Sequence, residues 1–225
     1  MNKGNTETSI RRLKETLTWQ EEFKVLSIKQ CFSTNGDDSG MKEIIEFENS
    51  TGKIYCRGYD KENRAILYLR PARENSTNGL DNMKHLVFNL EKAISCTTRK
   101  SKGSESKVNI IIDYKDFRLR DTPPLSTTQM TLNILQNHYP ERLHRGYICN
   151  PPYVFVAFWK MIQPFLDPVT KQKIVFIKGE SGKELLGKDM DLDVVEMSIG
   201  GCNSGKDFDS KEYLYGAFDH TFDED

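Results

Sequence analysis

The sequence predicts an α/β fold with a mainly parallel sheet, and three observations carry that expectation. Short β-branched or aliphatic runs (54–57, 65–69, 108–112, 145–149 and 174–177) recur along the chain. Helical patterns separate most of them, and this alternation is the signature of strands laid side by side in parallel. The run Val108 to Ile112 is apolar except for Asn109, as expected of a strand covered on both faces. The first 50 residues precede the alternation and read as helix and loop, so a small N-terminal helical bundle of its own is expected there, with the main domain over 51–225.

The elements follow in order. Ile10, Leu13 and Leu17 fall at helical spacing within a stretch free of Gly and Pro, predicting one helix over Glu7 to Ile28. The polar run Ser33 to Gly40 breaks it as a loop, and a shorter helix is expected over Met41 to Glu48. Strands near Ile54–Arg57 and Ala65–Leu69 flank the turn residues Asp60-Lys61-Glu62-Asn63. Leu80, Met83, Leu86, Val87, Leu90 and Ile94 mark an amphipathic helix. After the Ser- and Lys-rich loop 100–107 come the strand Val108–Ile112, a helix over Leu125–Asn137 and a strand near Arg145–Cys149. Asn150-Pro151-Pro152 reads as a helix start with Asn as cap. The helix it would open, Tyr153 to Gln163, ends or kinks at Pro164. Ile174–Ile177 is the last strand, followed by a Gly-rich loop, a short acidic segment and a final helix over Ser210–Phe218. No internal repeats occur.

Composition excludes several classes. The 225 residues carry 32 Lys+Arg and 33 Asp+Glu, a net charge of -1, so the uniformly basic footprint of a nucleic-acid binder is absent. With 12 Phe, 9 Tyr and 2 Trp the chain is too aromatic for disorder. No run approaches the roughly 20 apolar residues that span a bilayer. The first nine residues lack the apolar middle of a secretory signal. Cys31, Cys56, Cys96, Cys149 and Cys202 are odd in number and scattered, matching neither a disulfide framework nor a zinc site. A reducing, cytoplasmic setting is the expectation.

Catalytic signals are weak. Gly200-Gly201-Cys202-Asn203-Ser204-Gly205-Lys206 fits the opening of a phosphate loop, but Asp207 stands where a Ser or Thr would hold Mg²⁺. Gly179-Glu180-Ser181-Gly182-Lys183 resembles a nucleophile elbow, with Lys183 in place of the final Gly. Both read as loops. His85, His138, His144 and His220 show no metal-ligand spacing and no partner constellation, and His85 is expected on a partly exposed helix face. An enzyme is therefore not expected, and neither a metal nor a cofactor.

The segment from Tyr153 to Leu166 is different. Tyr153, Phe155, Phe158, Trp159, Met161, Ile162 and Phe165 wrap it on every side, where a surface helix would keep one polar face. It is either a central core helix or a helix with one face on the protein and the other on a lipid, ligand or membrane; composition leaves both open.

The flanking residues carry a resemblance. Tyr139-Pro140-Glu141-Arg142, the Asn150-Pro151-Pro152 helix start and Phe165-Leu166-Asp167-Pro168-Val169-Thr170 with Lys173 resemble, in this order and spacing, the CRAL-TRIO lipid-binding family, in particular its phosphatidylinositol-transfer members. Gly58-Tyr59-Asp60, Arg64 to Pro71, Asn89 to Ala93, Asp113 and Gly200-Gly201 extend the match. The resemblance implies a lipid pocket floored by the sheet and closed by a movable apolar helix, with Phe155, Phe158, Trp159, Ile162 and Phe165 facing the lipid. It implies a headgroup site of Glu141, Arg142, Thr170 and Lys173. Lys173 would offer a point charge to the phosphate and Thr170 a hydroxyl donor, while Glu141 would accept inositol hydroxyls or hold Lys173. Trp159 and Phe158 would anchor in a membrane interface.

Two departures stand out. The family's F-L-R-A-R run would end around Asn2-Lys3, so its arginine is expected to lie before this sequence or to be replaced by Lys3, and the N-terminal helical bundle, 1–50, is likewise expected to be truncated. Val108 and Ile110 occupy places where choline-lipid binders carry hydroxyls, which argues against a choline lipid. The resulting expectation is a monomeric, non-enzymatic carrier of phosphatidylinositol that touches membranes transiently. The alternatives are a carrier of a tocopherol, retinoid or sterol, and a regulatory interaction module with a vestigial pocket.

Overall fold

A computed structural model describes residues 6–33, 36, 40–118, 120, 122, 124–153 and 155–224, with the side chains of 156, 180 and 181 left aside. Five strands form one sheet in the order β1 (Ile54–Tyr59), β2 (Ala65–Leu69), β3 (Val108–Asp113), β4 (Leu143–Cys149) and β5 (Ile174–Ile177). β1 and β2 form an antiparallel hairpin and every later neighbour is parallel. The expected class is therefore the observed one.

Strand pairing assigns the two faces. Cys56, Leu67, Ile110, Gly146 and Ile174 lie in register on one face, as do Leu69, Ile112, Ile148 and Phe176 one step along. α4 (Gly79–Lys100) covers the β1–β2 half of this face. Its start is fixed by Asn78, whose side chain accepts from the amides of Leu80 and Asp81. α6 (Phe155–Ile162) lies over the β5 half. α5 (Leu125–His138) stands between them, bonded through Gln136 to the carbonyl of Phe165 at 2.8 Å and the amide of Asp167 at 3.0 Å. On the opposite face Tyr55 and Tyr68 stack, and Tyr147 donates to Asp189 of α8 (Gly179–Asp189).

Several expectations need correction. The N-terminal helix is two helices, α1 (Thr6–Glu22) and α2 (Val25–Gln30), because Lys24 adopts φ 57°, in the left-handed region, and turns Val25 and Ile28 into the core. α2 and α3 (Met41–Asn49) pack on α4, and Val25, Ile28, Met41 and Ile45 join the same apolar core as the sheet, so these helices do not close a bundle of their own. The segment read as a Gly-rich loop after β5 is α8. Gly182 explains why packing overrides composition: a Cβ there would meet Ile177 Cγ2 at 2.7 Å, so only glycine lets the helix approach β5 this closely.

His85 is fully buried, with Nε2 2.8 Å from Asn49 Nδ2. Asn150 is not a cap: it sits at φ 52° and donates to Asp113 Oδ1 at 2.8 Å, tying the β4 exit to the β3 exit. The four cysteines at 31, 56, 96 and 149 are buried and free, while Cys202 is exposed. The final helix, α9, is shorter than expected, Ser210–Tyr215. No described helix is long and apolar enough to cross a membrane.

Candidate lipid site

α6 explains its own composition. Its residues divide between a face on the sheet and a face on solvent: Phe155 and Ile162 are buried, Phe158 and Trp159 half-buried, and Ala157, Lys160 and Met161 exposed. The Phe155 ring lies 4.8 Å from Tyr114 and 6.0 Å from Phe176, and Trp159 meets Phe176 edge-on at 5.5 Å. Pro164 ends the helix in a short 3₁₀ turn, Gln163–Phe165, as the missing N–H of proline requires.

Phe165 is therefore off the helix and 46% exposed, in company with Tyr153 and Met161. Among the described residues of 153–165, these three are the exposed large apolar side chains. The expected anchors Trp159 and Phe158 are half-buried: Trp159 packs on Phe176 of β5, and Phe158 on Phe155.

Under α6 the sheet is incompletely covered. β1 and β2 are buried almost throughout, yet Ile110, Ile112 and Ile174 on the α6 face are only half-buried and Phe176 is 42% exposed. A central strand of an α/β sheet is ordinarily buried on both faces. Here the exposure of Ile110, Ile112, Ile174 and Phe176 leaves the apolar face from β3 to β5 partly open beside α6, a shallow slot interrupted by the buried Ile148. The cavities seen elsewhere, an open groove of about 660 Å³ along α1 and a polar cleft of about 330 Å³ beside the β1 edge, border neither α6 nor β5.

Two cations stand where β4 and β5 begin. Lys173 follows α7 (Pro168–Gln172) directly and donates from Nζ to the Leu143 carbonyl at 2.6 Å. Arg142, one residue before, donates from Nη1 to the Ser106 carbonyl at 3.2 Å. The fold thus brings Arg142 and Lys173 to the same strand entrance. Thr170 is one turn away, its carbonyl accepting from the Lys173 amide at 3.0 Å.

Thr170 has a second task. Asp167 caps α7, accepting from the Val169 and Thr170 amides at 2.9 Å and from the Thr170 hydroxyl. Burial alone would raise the Asp167 carboxyl, but the bonds from Thr170 and Val169 outweigh it and hold the group below the usual carboxylate range.

Of the two roles expected of Glu141, one is not seen: among the described residues it makes no ion pair with Lys173, whose ammonium donates to the Leu143 carbonyl and keeps two further donors. It is exposed, at φ 62°, in the third place of a turn closed by the Arg142 amide on the Tyr139 carbonyl at 3.3 Å, with Pro140 second. Such turns favour Gly or Asn there. A left-handed glutamate costs roughly 1–2 kcal/mol, and strain of this kind gathers at functional sites. Asn2 and Lys3 lie outside the described residues. No cluster of described side chains could hold a metal ion.

Sequence reasoning missed the slot's floor. Tyr114, Ile112 and Phe176 follow only from strand register, and the signal available was alternation: Ile174 and Phe176 share a parity that a short apolar run conceals.

The fold has a solved counterpart. The crystal structure of Sfh5 superposes with a TM-score of 0.59 over 76% of this chain and 61% of its own, and at 18% identity that likeness speaks for the fold alone. Sequence comparison supplies the rest. Residues 49–201 match the CRAL/TRIO domain, and the chain belongs to that family.

Among its relatives, the phosphatidylinositol transfer protein PDR17 of Saccharomyces cerevisiae is 35% identical over 180 residues, covering 78% of this chain and 49% of the relative. The SEC14 cytosolic factor of Eremothecium gossypii is 38% identical over 205 residues, covering 87% and 64%. The chain thus spans about half to two thirds of the length of these relatives.

Proposed function

We propose that this chain binds a phospholipid, phosphatidylinositol, with its tails against the β3–β5 face under α6 and its headgroup at Arg142, Lys173, Thr170 and Glu141. The observation that carries the reading is the pairing of a half-open apolar sheet face with two cations at one strand entrance. An apolar face alone would suit a sterol or tocopherol; the cations select an anionic headgroup. Names of the relatives, a phosphatidylinositol transfer protein and a cytosolic factor, support the same ligand and a cytoplasmic place of work.

The mechanism is exchange between membranes, with no bond made or broken. Each methylene moved into water costs about 0.8 kcal/mol, so a two-tailed lipid does not leave a bilayer unaided. A dry protein slot makes the transfer nearly isoenergetic. α6 is the moving part: Phe155 and Trp159 lift from Tyr114 and Phe176, the tails take their place, and Tyr153, Met161 and Phe165 meet the interface meanwhile. The protein acts as a monomer with the lipid as its only cargo and without a cofactor.

Mass spectrometry of the purified chain tests this, with a co-extracted inositol phospholipid expected. In liposome assays Lys173→Ala lowers phosphatidylinositol transfer about tenfold or more, the size of a lost charged hydrogen bond. Transfer of a neutral sterol unaffected by Lys173→Ala, with no inositol lipid carried by the unaltered chain, favours the neutral-carrier reading instead.

A further inference from the structure

The headgroup turn is held from outside by a chain of contacts that sequence comparison alone does not expose. Tyr139, first residue of the turn, is 6% exposed, and its hydroxyl donates to Glu91 Oε1 of α4 at 2.8 Å. The other oxygen of Glu91 pairs with Lys29 Nζ of α2 at 3.0 Å. Trp19 of α1 stacks flat on His138 at 4.1 Å and meets the Tyr139 ring edge-on at 6.1 Å. Burial and the neighbouring Glu91 carboxylate push the Tyr139 phenol well up, so it stays a donor.

We infer that Lys29, Glu91 and Tyr139 act as positioning residues that hold the Tyr139–Arg142 turn in its left-handed form and thereby set the placement of Glu141 and Arg142 for the headgroup. The inference rests on the lipid reading above.

Three features make the coupling direct. The turn is short, so a shift of Tyr139 passes to Glu141 through two peptide bonds and to Arg142 through three. Its far end is fixed as well, by the Val108 amide on the Arg142 carbonyl at 2.8 Å. Between these two anchors sits Glu141 at φ 62°, a conformation an unrestrained glutamate leaves. With the Tyr139 end released, the turn relaxes and the two site residues drift. A site that is loose by about 1 Å loses most of its preorganisation. α1 and α2 thereby enter the function without touching the ligand.

The test is a double-mutant cycle read by uptake of phosphatidylinositol from phosphatidylcholine vesicles carrying it. Tyr139→Phe keeps the ring and removes the hydroxyl; Glu91→Gln keeps the volume and removes the charge, and serves where Tyr139→Phe folds poorly. Each lowers uptake about tenfold, the lower end for a hydrogen bond to a charged group. In a Glu141→Ala or Arg142→Ala background the same change has less than about a twofold effect, because residues acting through one another do not add. Lys29→Arg retains uptake.

A purely structural role gives a different pattern: equal losses with and without Glu141 and Arg142, tracking a fall in the unfolding midpoint. That pattern, or wild-type uptake by Tyr139→Phe and Glu91→Gln, overturns the inference while leaving the lipid reading in place. An unaltered chain that takes up no inositol lipid overturns both.

Discussion

The two halves of one sheet face differ. Under α4, β1 and β2 are buried almost throughout, and the helix itself buries Met83, Leu86, Val87, Phe88, Leu90 and Ala93. Under α6, a helix of 8 residues covers β5, a strand of 4, and leaves Phe176 and Ile174 partly open. The hairpin half has 22 residues of capped helix locking it, whereas the other half is closed mainly by ring contacts. Contacts of the second kind can be exchanged for acyl chains at little cost, and those of the first kind cannot. On the proposed reading, the difference separates a scaffold from a moving part.

Stability measurements break or sharpen this contrast most strongly. Phe88→Ala, in the fully packed half, is expected to cost about 3–5 kcal/mol in urea unfolding, the range for a buried ring. Trp159→Ala, in the α6 half, is expected to cost about 1 kcal/mol, since its ring is only half removed from water. Equal costs would erase the distinction. A smaller effect tests what holds β5 from behind: Gly182→Ala, overpacked against Ile177, is expected to destabilise by about 1–3 kcal/mol.

The smallest effect is a pH dependence. Asp167 is held below its unfolded pKa, so its contribution is fully present above about pH 4, the ordinary carboxylate value, and is lost as pH falls through the lowered pKa. Stability of the wild-type chain relative to Asp167→Asn should therefore fall on acidification below about pH 4 and stay level from pH 5 to 7. Unfolding curves across that window check the sign.

What was legible in the sequence follows the same division. Strand positions, the α4 stripe and the kink at Pro164 were readable because local periodicity and proline chemistry decide them. α8 was not, since its glycines serve packing against Ile177 and composition points to a loop. The break at Lys24 was hidden because nothing in a lysine announces a left-handed backbone.

At the site, resemblance picked out Arg142, Thr170 and Lys173, and the fold brings Arg142 and Lys173 to one strand entrance with Thr170 one turn away on α7. The lack of a Glu141–Lys173 contact was not foreseeable: Lys173 takes the Leu143 carbonyl, a group invisible to side-chain patterns. The hydrogen bond between Tyr139 and Glu91 was hidden by their separation of 48 positions.

The central claim is that acyl chains lie between α6 and the β3–β5 face. The chain has 2 Trp, and they mark the two places to be compared: Trp159 in the slot and Trp19 on α1. Phosphatidylinositol carrying bromine on its acyl chains, loaded into Trp19→Phe and Trp159→Phe variants, tests the claim by fluorescence. The account predicts strong quenching where Trp159 is the remaining indole and little where Trp19 is. Quenching of Trp19 alone, or of neither with lipid demonstrably bound, would contradict it.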